Sequence, residues 1–393
     1  MKGFWTWAVA LVFGCIALET SAQPDSLPEE QPARFQFGGY LKDLQTAAFT
    51  PERGSLLTGN FLHNRLNFRY DFSENFSARV ELRTRLFWGE QVRWTPGFSQ
   101  QVDYENGLLN LSWVVADEPA LVLHTIADRL SLNWQTGDWD ITLGRQRVNW
   151  GMSTAWNPND LFNAYNFFDF DYEERPGSDA LRVRYATGGM AGFDLALSRG
   201  RDAGSTIAAL LYRFNRWGYD FQVLGSWYKN DLALGAGWAG SIGEAGFKGE
   251  ATWFQPRKTT GDSTGALSLT VGGDYSFEGG WYLGGSLLYT SLGSNNSEAL
   301  ILLATQPLSA KRLMPFRYTF LVQGGKQVTP LFSANLSVIY SPGANALIIF
   351  PVLTYSVSDN WEANLVAQAF FSPEGDVFQN RGNALFFRLK WGF

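Results

Sequence analysis

Between Asn75 and Trp88 the chain alternates so strictly that few folds can hold it. The odd positions Arg79, Glu81, Arg83 and Arg85 are charged, whereas Val80, Leu82, Leu86 and Trp88 are apolar and Thr84 is neutral. Successive side chains of a strand point to opposite faces. One face of this strand is therefore apolar and the other strongly charged. A soluble sandwich would bury the apolar face against a second sheet. A barrel in lipid turns it outward and keeps the charges in a water-filled lumen.

The split recurs. Leu62, Leu66, Phe68 and Tyr70 stand against Arg65, Asn67 and Arg69, and Leu181, Val183 and Tyr185 against Arg182 and Arg184. The chain closes on Leu385, Phe387, Leu389, Trp391 and Phe393 against Arg388 and Lys390. This predicts an all-β, transmembrane antiparallel β-barrel of about 18 strands (16–18) over residues 35–393. Strands are placed at 35–48, 60–71, 76–88, 121–134, 139–151, 178–187, 192–200, 206–216, 219–229, 231–241, 245–257, 265–277, 280–291, 315–327, 331–341, 346–358, 361–372 and 382–393. Every second connection is short, from Ser73-Glu74-Asn75 to the turn at 358–360, and the others are mostly longer. Short periplasmic turns and long extracellular loops are the pattern of an outer-membrane barrel. The alternation breaks at Ile141, Leu143, Arg145 and Arg147, which share one parity. Either a bulge near Gly144 re-aims the strand or a loop covers its end.

Composition agrees with this reading. No run beyond the N-terminus reaches the ~18–20 apolar residues of a spanning helix. Yet the chain holds 31 Phe, 16 Trp, 15 Tyr and 41 Gly, which suits short amphipathic strands. Lys2, the apolar stretch Phe4–Leu18 and Thr20-Ser21-Ala22 read as a signal peptide over 1–22. Residues 23–34, polar and proline-rich, read as a disordered periplasmic lead-in. So short a lead-in leaves no room for the plug of a TonB-dependent transporter. The single Cys15 lies in the leader, so the mature chain has no disulfide and no thiol chemistry. A formal charge of −6 argues against nucleic acid as a partner.

Two motifs are set aside. Gly261-Asp262-Ser263-Thr264-Gly265 fits G-x-S-x-G but lies in a polar hairpin loop rather than a strand-to-helix elbow. Gly235–Gly240 fits G-x-G-x-x-G without a following helix. His63 and His124 are the only histidines. They read as polar wall or rim residues rather than bases, and no catalytic residue, metal site or cofactor is expected.

The densest set of features runs from 125 to 185. Ala127-Asp128-Arg129-Leu130 precedes Gly144-Arg145-Gln146-Arg147-Val148-Asn149-Trp150-Gly151. Trp156-Asn157-Pro158-Asn159-Asp160-Leu161-Phe162 and Glu174-Arg175-Pro176-Gly177-Ser178-Asp179 follow. This segment resembles a group of porin-like outer-membrane proteins of Gram-negative bacteria, which carry a G-R-Q…W-G strand end, an N-P-x-D loop and an R-P-G-x-D strand entry. The resemblance implies a barrel architecture and passive transport, without a substrate.

From the residues themselves, the loop 152–177 is rich in Asn, Asp and aromatics. It carries Asn157, Asp160, Asp169, Asp171, Glu173, Glu174 and Arg175. Folded into the lumen, it would narrow the bore and set acids opposite wall arginines, giving a transverse field. As an external lid its charges would only be solvated. Arg65, Arg69, Arg79, Glu81, Arg83, Arg85, Arg182 and Arg184 are the expected pore-lining set. They form either a ladder for anionic or polar solutes or wall ion pairs. The terminal Phe393 resembles the signal read by barrel-assembly machinery. Expected partners are outer-membrane lipid and lipopolysaccharide, that machinery and small polar solutes, and an oligomer is compatible with the reading. The function expected is a passive porin-type channel. The alternatives are a polysaccharide-export or surface-anchoring barrel and, from a different class, a lipid-modifying enzyme.

Overall fold

The computed structural model describes residues 34–49, 56–103, 105, 107–163, 175–257, 264–302, 308–375 and 377–393. The leader, most of the lead-in, and Asp169, Asp171, Glu173 and Glu174 lie outside them, as do residues 261–263.

Alternating segments become strands, and the turn signals between them become hairpins. In chain order the strands are β1 (Phe35–Phe49), β2 (Leu56–Ser73), β3 (Phe76–Trp88), β4 (Ser112–Glu118), β5 (Leu121–Thr136), β6 (Trp139–Gln146), β7 (Ser178–Gly188), β8 (Ala191–Ser198), β9 (Ile207–Arg216) and β10 (Tyr219–Tyr228). They continue as β11 (Asp231–Ile242), β12 (Ala245–Pro256), β13 (Ala266–Phe277), β14 (Trp281–Thr290), β15 (Tyr318–Thr329), β16 (Phe332–Ser341), β17 (Ala346–Ser358), β18 (Trp361–Glu374) and β19 (Val377–Gly392). All pairings are antiparallel, and β19 closes on β1 from Tyr40–Gly392 to Phe49–Asn383. β3 pairs with β5 directly, so eighteen strands form the closed barrel and β4 is additional.

Closure leaves the eighteen-strand ring without a free edge, which lipid demands. The final residue takes part in it: Phe393 N–H donates to Gly39 O (3.0 Å) and Gly39 N–H to Phe393 O (2.9 Å). Tight turns sit where the chemistry allows. Trp217 and Gly218 both have positive φ (56° and 77°), as a two-residue twisted hairpin turn requires.

The faces divide as the alternation predicts. Leu132, Leu181, Leu195, Leu234, Val322 and Phe387 are exposed on the outside. Lys42, Arg65, Asp194, Gln222, Glu250 and Arg388 are buried on the inside.

Two expectations change in detail. β6 ends at Gln146 rather than 151, because the chain there turns into the lumen. The long connection at 89–120 carries helices α1 (Glu90–Trp94) and α2 (Phe98–Val102) as well as β4, which the strand placement did not include. β4 pairs with β5 over Leu121–Ile126, whereas β6 pairs with β5 only over Leu130–Thr136. β4 thus extends the wall where β6 has left it.

Candidate functional site

The segment that follows β6 crosses the barrel interior. Val148 and Trp150 pack with Leu211, Leu224 and Phe254 of the inner wall, and Trp156 packs with Leu288, Leu321 and Ile339. Burying two indoles and their neighbours supplies most of the driving force for this crossing, at roughly 25 cal/mol per Å² of apolar surface. Trp150 Nε1 donates to Asp194 (2.9 Å), and Gln222 donates to the Trp150 carbonyl (2.8 Å). Residues 308–317 fold in beside it, with Leu313, Met314 and Phe316 buried.

The far side of the crossing is held by one carboxylate. Glu250 of β12 is fully buried. It accepts the backbone N–H groups of Met152, Ser153 (2.8 Å) and Asn159 (2.9 Å). Thr252 donates to the Asn159 side chain at 2.7 Å, and Asn159 donates to the Ala236 carbonyl at 3.1 Å. Grouped N–H donors around a buried carboxylate are a strong, charge-assisted contact. Sequence reasoning missed Glu250, although Lys248, Glu250 and Thr252 form a polar parity on their strand.

Asp160 does not face open water. It is buried and takes an Arg175 N–H at 3.1 Å. Burial pushes its carboxyl up to about 7, with Arg175 and Arg147 pulling the other way. Asn157 is buried against Gly151, where a Cβ would strike its side chain. The described part of the loop, 152–163, therefore lies inside the lumen and is anchored to the wall.

The arginines of the opposite wall fall into two groups. Arg65 is fully buried between Glu81 and Asp128, and Asp128 also holds Arg83 at 3.0 Å. A bulge in β5 makes this possible: Glu81 pairs with Arg129 and Leu82 with Ala127, leaving Asp128 as the extra residue. Arg182 pairs with Asp194 at 2.5 Å. Arg69, Arg79 and Arg184 also have acidic partners, Asp71 (2.9 Å), Glu81 (3.7 Å) and Asp140, but their side chains remain 43%, 52% and 46% exposed. Arg69, Arg79, Arg129, Arg147, Arg182 and Arg184 line one polar cavity of about 260 Å³, with Gln146 at its edge.

Arg145 has no place in that cavity. It lies on the outward parity, and no register shift occurs at Gly144 despite its φ of 114°. Arg145 instead bonds Asp179 (2.7 Å), Glu105 (2.6 Å) and the Leu109 carbonyl (2.7 Å). The covering loop, not a bulge, accounts for the break in alternation.

His124 meets a serine and an acid. Ser112 Oγ lies 2.6 Å from His124 Nε2 and donates to Asp103 at 2.5 Å, and Arg85 lies 3.0 Å from Nδ1. A guanidinium can only donate, so Nδ1 accepts and the ring proton sits on Nε2. Nε2 then donates to Ser112 and cannot take its proton. Arg85 also donates to the Val102 carbonyl, which ties α2 to the wall. The group works as a structural clasp.

No protein-family model matches the chain, and no curated protein matches it. Solved structures do. OccAB1 of Acinetobacter baumannii superposes with a TM-score of 0.60 at 10% identity, covering 91% of this chain and 96% of its own. OccAB4 of the same organism gives 0.58 at 8% identity, covering 93% and 100%. OccK5 (OpdH) of Pseudomonas aeruginosa gives 0.57 at 8%, covering 91% and 98%. The chain has the fold of an outer-membrane porin. Within this porin fold the inward loop, its Glu250 anchor and the arginine-lined cavity form the candidate site.

Proposed function

We propose that this barrel is an outer-membrane channel for passive diffusion of small polar or charged solutes. Anions are favoured along the arginine wall of β2–β7. The observation that carries this reading is the cavity beside the inward loop, which six arginines line. Half of them keep their side chains substantially open to water. Arginine forks pair with carboxylate and phosphate oxygens without bond-making chemistry, and field and width then select the solute. The apolar clusters around Trp150 and Trp156 cover inner-face residues of strands from β7 to β17, and the arginine cavity offers a polar path beside them. Arg65, Arg83 and Arg182 hold the wall together through ion pairs, and Arg69, Arg79 and Arg184 meet the solute.

The likeness of segment 125–185 to porin-like proteins supports the same reading, since that segment builds the base of the inward loop. The leader ending near Ala22 fits export, and Phe393 at the seam fits an assembly signal. Liposome swelling tests the proposal. Vesicles holding the purified barrel should admit small organic anions faster than cations of equal size. Vesicles no more permeable than protein-free controls would refute it.

A further inference from the structure

The outer wall of β9–β12 holds an apolar hollow. Residues directly opposite in an antiparallel ladder share a face. Gly225 of β10 therefore lies in the outward row of Leu210 of β9 and Leu234 of β11, which pair with it and are exposed. A Cβ at Gly225 would meet only Leu234 Cδ2, at 3.8 Å, so the absent side chain leaves room. The next outward residue, Trp227, stands between Ala208 and Leu232. Trp253 of β12 stands opposite Leu234. The exposed rings of Trp227 and Trp253 wall a groove of about 690 Å³, which the small residues Gly225 and Ala208 also line. That size falls within the ~300–1,000 Å³ of small-molecule sites.

The rim of the groove is cationic. β8, β10 and β12 all run towards the barrel end that carries the long loops. Arg199 follows Leu195 and Leu197 at the same two-residue step, and Arg257 follows Trp253 and Gln255. The Arg257 guanidinium lies 3.3 Å from the centre of the Trp227 ring, so it stacks on the wall of the groove itself. A guanidinium held this way presents its donors edgewise, the geometry that a phosphate takes. Lys229 lies exposed in the turn between β10 and β11. Against Arg199, Arg201, Lys229 and Arg257 stands one acid, Asp202, among the described residues of these three connections. β1, β3, β14 and β16 rise to the same end but close their outward rows on Phe49, Trp88, Tyr289 and Tyr340, an ordinary aromatic belt.

We propose that this groove seats an acyl chain of lipopolysaccharide, with the cationic rim on its headgroup phosphates. The inference goes beyond solute passage and rests on the barrel's place in the outer membrane with its long loops outward. The width of the rim selects the occupant. β8 and β12 are four inter-strand steps apart, roughly 19 Å at ~4.8 Å each. The single phosphate of a phospholipid cannot bridge that width, whereas a glycolipid with two separated phosphates and several chains covers it. A second copy of this chain would bring like charges together. A hollow that faces acyl chains gives a soluble partner no approach.

The test uses the full chain in mild detergent, titrated with bis-phosphorylated, hexa-acylated lipid A and read by native mass spectrometry. The wild type should retain lipid A as a tight adduct. Arg257→Ala should weaken retention roughly tenfold, the loss of one charge-assisted contact. Gly225→Leu fills the groove with a side chain that suits lipid, and should abolish the tight adduct while the barrel stays heat-modifiable. Arg257→Ala, on the exposed rim, decides the matter even if Gly225→Leu inserts poorly. Lys326→Ala removes a cation seated 4.7 Å from the Trp281 ring at the opposite barrel end, and should leave retention unchanged. Dephosphorylated lipid A and phosphatidylglycerol should each bind the wild type about tenfold more weakly. Lipid A held no more tightly than phosphatidylglycerol, an adduct that Arg257→Ala does not weaken, or an equal loss in Lys326→Ala would overturn the proposal.

Discussion

Arg145 and Asp179 face each other across β6 and β7 and are joined by two hydrogen bonds, Nε to Oδ1 at 2.7 Å and Nη2 to Oδ2 at 3.0 Å. They clamp the base of the excursion that leaves the wall after Gln146 and returns at Ser178. Glu105 and the Leu109 carbonyl cover the same guanidinium from the β4 segment. The wall fork and the inward loop thus share one side chain.

Replacing Arg145 by alanine leaves Asp179 and Glu105 without their cation. Removing one partner of a buried ion pair costs about 3–5 kcal/mol. Arg145→Ala should lower the unfolding temperature of the barrel and expose 105–118 to protease. Unchanged melting and cleavage would show that the clamp is dispensable.

The seam at Phe393 depends on two hydrogen bonds to Gly39 and on ring contacts with Phe37 and Trp391. Each seam bond contributes about 0.5–1.5 kcal/mol. Deleting Phe393 should reduce the yield of heat-modifiable barrel in the membrane fraction. Normal yield would remove the residue from assembly.

Much of this was legible in the alternation. The eighteen barrel strands and the inner face of Arg65 and Arg83 follow from period-two patterning, whereas the composition of 152–177 left an inward course and an external lid both open. What the pattern hid has local causes. The bulge at Asp128 breaks parity, so an acid that holds two arginines looked like part of a motif. β4 escaped because its strand completes a wall that β6 abandons, which depends on tertiary context rather than on its own sequence. Glu250 was visible as a polar parity, but nothing in the sequence said that it would accept loop amides.

Asp160 makes the loop pH-sensitive. Burial pushes its carboxyl up to about 7, above the unfolded value of about 3.9. Between those values the docked loop holds a proton that the released loop gives up. Docking is therefore favoured at low pH and weakens as pH rises through about 7. Channel current should be quieter at about pH 5 than at about pH 8, and Asp160→Asn should be quiet at both. Equal noise in the wild type at the two values would contradict this.

Glu250 should set the bore. Glu250→Ala leaves the amides of Met152, Ser153 and Asn159 without their acceptor and should raise conductance while the barrel still inserts. Glu250→Gln removes the same charge but keeps one acceptor oxygen, so its rise should be smaller. Equal effects of the two variants would point to charge rather than to loop release.

The central claim is that solutes pass along the exposed arginines. The most direct measurement is the reversal potential of single channels in a salt gradient across a planar bilayer, for the wild type and for Arg79→Glu. Arg79 is open to water and only loosely paired with Glu81, at 3.7 Å, so the charge reversal should fold and act through the local field. The account predicts an anion-selective wild type and a shift towards cations in the variant, with conductance retained. A cation-selective wild type, or a variant whose reversal potential does not move, would contradict it.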